Sequence, residues 1–125
     1  MSSEFNLYSE LKEKTLILKT EGYLNNIGGE RIAREVSEHL NNNINNVVID
    51  LEKSKVVNSI GISYLIDVIE QLNENNGKLI FTNLDPTIEK TFNIMGLFQF
   101  AEKADSLDSA LLSLDNKYSS PDRNN

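Results

Sequence analysis

Apolar positions along the chain recur at two spacings, and the alternation between them outlines the fold. Residues 5–9 and the run Lys14-Thr15-Leu16-Ile17-Leu18-Lys19-Thr20 read as extended segments, the second short and β-rich. Glu21-Gly22-Tyr23-Leu24-Asn25-Asn26 breaks the run. Gly28-Gly29 then leads into a helix that carries Ile32, Val36 and Leu40 on one face. The stretch Asn41-Asn42-Asn43-Ile44-Asn45-Asn46 ends that helix as a loop, because asparagine favours turns and left-handed backbone. Val47-Val48-Ile49-Asp50-Leu51 is nearly uninterrupted in its apolar character, which predicts a central strand buried on both faces.

The second half repeats the alternation. Leu65, Val68, Ile69 and Leu72 form an i, i+3, i+4, i+7 stripe, closed by Asn76-Gly77. Lys78-Leu79-Ile80-Phe81-Thr82 is the next strand. Asp85-Pro86 starts a helix with an apolar stripe of Ile88, Phe92 and Met95, which Gly96 stops. Leu97-Phe98-Gln99-Phe100 reads as a short strand or extended piece. Asp105 or Ser106 opens a last helix with Leu107, Ala110, Leu111 and Leu114 on one face. The order is β-β-α-β-α-β-α-(β)-α, which predicts an α/β fold with a largely parallel sheet and an antiparallel edge. One domain over residues 5–114 accounts for the pattern, and the polar residues 115–125 are expected to form a disordered tail.

Composition narrows the chemistry. The 125 residues are 39% hydrophobic and 25% charged, the balance of a globular domain with a real core. No apolar run approaches the roughly 20 residues of a transmembrane helix, and the N-terminus lacks the pattern of a signal peptide, so a cytoplasmic location is expected. With no cysteine, disulfides, thiol catalysis and thiolate metal sites are excluded. The single histidine, His39, lies in a helical pattern with no ligand spacing around it, and no metal or cofactor is expected. A net charge of −7 argues against nucleic acid and anionic membrane and suits a partner with a basic surface.

The most informative window is Val56-Val57-Asn58-Ser59-Ile60-Gly61-Ile62, where an apolar strand and loop hand over to the helix. A hydroxyl at Ser59 would project from a helix N-terminus, where free N–H groups and the helix dipole favour negative charge. A phosphate there would be stabilised locally while adding about two charges to the surface. The plainer reading is that Ser59, or Asn58 before it, caps the helix. Enzyme signatures are missing: no dinucleotide or Walker loop, no nucleophile–histidine pair and no metal motif. Asp50 and Glu52 lie close in sequence without forming a catalytic constellation.

Three segments resemble the STAS family, whose best-known bacterial members are anti-sigma-factor antagonists. They are Gly22-Tyr23-Leu24-Asn25, then Val48-Ile49-Asp50-Leu51 with Val56 to Ile62, and Gly77-Lys78-Leu79 through Asn83 with Phe92-Asn93-Ile94-Met95-Gly96-Leu97-Phe98. The resemblance covers roughly residues 5–114 and implies a STAS-like mixed sheet of four or five strands with about four helices. It further implies that Ser59 is phosphorylated by a partner serine protein kinase of anti-sigma type. The unphosphorylated protein would bind that kinase through Asn25, Asn58, Ser59, Ile60, Gly61 and Ile62, and a metal-dependent serine phosphatase would reset the switch. The chain departs from the family at Asn58, which replaces the usual aspartate, and at Tyr23 and Asn25, which replace two acids. A non-phosphorylated or ligand-sensing STAS module is one alternative. A response-regulator receiver domain, with Asp50 ending a central strand, is another, although Glu21 stands nearly alone where receivers carry an acidic cluster.

Overall fold

The computed structural model describes residues 4–40 and 42–119, with the side chains of 116–119 left out of the description. Two strands, β1 (Phe5–Lys12) and β2 (Thr15–Gly22), form an antiparallel pair, and helix α1 (Asn26–Leu40) follows. Next come β3 (Asn46–Lys53), α2 (Ser59–Glu74), β4 (Lys78–Thr82), α3 (Pro86–Ile94), a 3-10 turn at Leu97–Gln99, β5 (Glu102–Ala104) and α4 (Leu107–Ser119). The five strands are ordered β1-β2-β3-β4-β5, and every pair after the first is parallel. The four helices and the five-stranded mixed sheet are those expected from the hydrophobic pattern.

The alternation of side chains along a strand divides the core. From β3, Val47, Ile49 and Leu51 join Ile32 and Val36 of α1, Leu65, Val68 and Leu72 of α2, and Ile88 and Phe92 of α3 in the larger cluster. Val48, facing the other way, packs with Ile80, Ala110 and Leu114 in a smaller cluster under α4. The central strand is therefore buried on both faces, which explains its unbroken apolar sequence. The pair Gly28–Gly29 lies inside α1 and is buried; a Cβ on Gly29 would stand 2.9 Å from the Tyr64 side chain of α2, and one on Gly28 would stand 2.8 Å from the Phe5 ring of β1, so the two glycines let α1 approach α2 and β1 closely.

Two expectations are corrected near the C-terminus. Met95 is not core: α3 ends at Ile94, Met95 is its C-cap, and its side chain is exposed because the helical period stops there. The segment expected as a strand at 97–100 is instead a 3-10 turn over Leu97–Gln99 capped by Phe100, and the last strand lies later, pairing Ile80 with Glu102 and Thr82 with Ala104. Gly96, at φ 85, reverses the chain in a conformation open to glycine. The tight turn that follows sends Leu97 inward and sets the Phe98 ring edge-on to Phe81, with centroids 6.3 Å apart. An alternating strand would have split that pair between two faces. At the chain's end α4 runs on through residues 115–119, where the polar tail was expected to begin, and 120–125 lie outside the described residues. No described helix is long and apolar enough to cross a membrane.

Candidate functional site

The loop after β3 is fastened to the segment after β2. The Leu24 N–H donates to the Val56 carbonyl at 3.0 Å, and the Asn58 N–H donates to the Leu24 carbonyl at 3.1 Å, flanking a parallel bridge between Leu24 and Val57. This short pairing prolongs the β2–β3 contact past the sheet and brings the starts of α1 and α2 side by side. Gly61 makes the approach possible, since a Cβ there would lie 2.4 Å from the Leu24 carbonyl oxygen.

Each helix start is capped by an asparagine. Asn25 Oδ1 accepts from the Ile27 and Gly28 N–H groups at 3.1 and 3.2 Å. Asn58, with extended backbone, accepts from the Gly61 N–H at 2.8 Å. Asn58 therefore takes the cap, and Ser59 is left as the first helical residue with its side chain exposed. The Ser59 hydroxyl makes no hydrogen bond among the described residues. Neither α1 nor α2 has an acidic residue in its first turn, so the first turns themselves leave the positive ends of the two helices without a carboxylate. Asn58→Ala should cost about 0.5–2 kcal/mol of stability by removing the cap. Asn58→Asp keeps the acceptor and adds a favourable charge, so it should melt at or above the parent temperature.

The residues expected at a partner face separate into two groups. Ser59 and Ile60 are exposed, and Asn25 and Asn58 are half-buried behind them. Gly61 and Ile62 are buried, Gly61 against the Leu24 carbonyl and Ile62 within the core, so they hold Ser59 in place and present no surface to a partner. Two exposed apolar residues nearby were not singled out from sequence: Val56, before the cap, and Ile27, at the start of α1. Both fall off any apolar stripe, and that misfit was the signal available.

The neighbouring hydroxyls are engaged. Ser54 is fully buried and shares a 2.7 Å hydrogen bond with Thr20 Oγ1. Ser63 donates to the Ile60 carbonyl at 2.8 Å. Asp50, inside β3 and paired with Thr82 at the end of β4, is buried, and its Oδ1 accepts from the Glu52 N–H at 3.0 Å and from Asn83 Nδ2 at 3.1 Å. It ties β3 to the residue that follows β4.

A family model described as the STAS domain matches residues 7–110. Among characterised sequences, BtrV of Bordetella bronchiseptica, a candidate anti-sigma factor antagonist, is 26% identical over 95 residues, covering 76% of this chain and 82% of that protein. Among solved structures, an anti-sigma factor antagonist from Mycobacterium paratuberculosis superposes with a TM-score of 0.79 at 16% identity, over 92% of this chain and 97% of that one. The Bacillus cell fate determinant SpoIIAA in its phosphorylated form gives 0.70 at 20% identity, over 89% and 99%. The likeness to both solved structures is one of fold.

Proposed function

The chain belongs to the STAS domain family, and from that premise we propose that it is a partner-switching protein of the anti-sigma factor antagonist type with Ser59 as its phosphate acceptor. One observation carries the reading. Asn58 performs the capping that Ser59 could have performed, which leaves the Ser59 hydroxyl exposed and without a hydrogen bond. Ser54 and Ser63, the nearest alternatives, are respectively buried and hydrogen-bonded to the backbone. The departure from the family's aspartate at position 58 is compatible with this, since asparagine supplies the same capping oxygen.

The mechanism is a contest between docking and charge. The unmodified surface offers a small neutral hydroxyl beside exposed Val56 and Ile60, which a partner can cover. A serine kinase of anti-sigma type would move a phosphoryl group from ATP to Ser59 Oγ, with ADP leaving and the hydroxyl proton released. The product carries about two negative charges, stabilised by the helix N-termini and costly to desolvate under a docked protein. A metal-dependent serine phosphatase would hydrolyse the phosphoserine with water, restoring the hydroxyl and releasing inorganic phosphate. The chain itself acts by binding, and its net charge of −7 suits a partner with a basic face.

Incubation with the captured kinase and ATP, followed by mass-spectrometric mapping, tests the assignment. Phosphate is expected on Ser59 alone. Ser59→Ala should abolish modification and keep partner affinity, while Ser59→Asp should weaken it by about tenfold or more. Phosphate on another residue, or none with a kinase active on a control substrate, would overturn the switch and leave a constitutive binding module.

A further inference from the structure

We propose that the cleft between α2 and the 3-10 turn is a second docking site, shaped for a basic amphipathic helix of the partner protein. The cleft has a volume of about 510 Å³, and Ile66, Ile69, Ile94, Met95 and Phe100 line it with Glu70. Three of these apolar side chains stand out of the fold: Ile94 is 74% exposed, Phe100 65% and Met95 45%. They line one cleft because Gly96 turns the chain between them.

The cleft continues the Ser59 surface. Ser59, Ser63, Ile66, Glu70 and Asn73 follow one another at helical spacings of four and three, so they form a row along one side of α2. At 1.5 Å per residue the row is about 21 Å long, the length of a four-turn helix lying alongside. A partner seated on Ser59 and Ile60 therefore reaches the cleft without leaving α2.

Charge decides the occupant. The segment Ser59–Glu74 holds Asp67, Glu70 and Glu74 and no lysine, arginine or histidine. Glu70 is the charged residue lining the cleft among the described residues. A second copy of this acidic chain would set like charges against one another. A small molecule needs most of its surface enclosed and a few converging polar groups, whereas this is an open apolar shelf with one carboxylate, Glu70, at its edge and further acids, Asp67 and Glu74, along the same helix. An apolar stripe flanked by lysine or arginine satisfies both features, in the helix-in-groove mode. The inference rests on the reading of Ser59 only for which protein supplies that helix.

The probe is an 18-residue synthetic helix with leucines at i, i+3, i+4 and i+7 and lysines on the flanks, compared with the same peptide carrying glutamates. Calorimetry should show the lysine peptide binding at least tenfold more tightly. Amide and methyl shifts should centre on Ile66, Ile94, Met95 and Phe100. The double variant Ile94→Asp with Phe100→Asp should lose at least tenfold in affinity. Both positions are exposed, and the added acids would strengthen any purely electrostatic attraction, so a loss reports the apolar shelf. Shifts scattered over the surface, or equal binding of the two peptides, overturn the proposal on the unmodified protein alone. Affinity retained by the folded double variant overturns it as well. Peptide binding here with no phosphate on Ser59 would remove the switch and leave the cleft standing.

Discussion

Leu65→Ala is expected to lower the free energy of unfolding by about 2–5 kcal/mol, through lost burial and the cavity left behind. Leu65 is 0% exposed and lies at the middle of the inner face of α2, in the cluster that also holds Ile49, Phe81 and Leu72. The neighbours are held by the sheet on one side and by α1 on the other, so the gap cannot close by collapse. Against a total stability of about 5–15 kcal/mol, that loss is a large fraction of the whole. Ile69→Ala should fall at the lower end of the range, because Ile69 is 5% exposed and borders the open cleft, where the vacated space merges with solvent. Urea unfolding measures both. An unchanged midpoint for Leu65→Ala would mean that α2 buries a different face.

Gly61→Ala is expected to cost about 1–3 kcal/mol even though alanine is the better helix former by roughly 1 kcal/mol. The new Cβ would meet the Leu24 carbonyl oxygen at 2.4 Å and its carbon at 3.0 Å. These are backbone atoms held on both sides by the Leu24–Val56 and Asn58–Leu24 hydrogen bonds, and no rotamer change can relieve the contact. The start of α2 must move away, which loosens the Leu24–Val57 bridge and displaces Ser59. The variant should melt lower, exchange the Leu24 and Asn58 amides faster, and bind the partner less well with Ser59 untouched. Stability equal to the parent would show that the helix end is free to shift.

The two substitutions act at different distances from the candidate site. Leu65 supports α2 as a whole, so its loss should lower stability without a selective effect on Ser59 while the protein stays folded. Gly61 sets where the first turn sits, so its loss should appear in partner affinity at temperatures well below unfolding. Comparing affinity at equal fractional stability separates support of the fold from positioning of the acceptor.

Local pattern carried most of the architecture. The unbroken run Val47–Leu51 placed the central strand, and the stripe Leu65, Val68, Ile69 and Leu72 placed the buried face of α2, because burial and backbone period are both written in the order of side chains. The junction at Asn58–Ser59 was legible as a helix start for the same reason. Which of the two residues caps was not legible, since serine and asparagine are nearly equal in that role. The packing of Leu24 against Val57 decided it, by holding Asn58 extended with its side chain over the Gly61 N–H.

Contacts between distant segments settled the rest. Met95 and the run 97–100 read as core helix and strand, yet Gly96 and the aromatic cluster of Phe81, Phe92 and Phe98 made a tight turn that left Ile94, Met95 and Phe100 outside. The family resemblance placed Gly61 and Ile62 on the partner surface with Ser59, but neighbours on a helix face different ways, and these two lie on its buried side. By itself the sequence determined the elements, their order and the serine at a helix start. Only the tertiary structure decided which side chains of that junction face solvent, because that depends on where a backbone carbonyl far along the chain comes to rest.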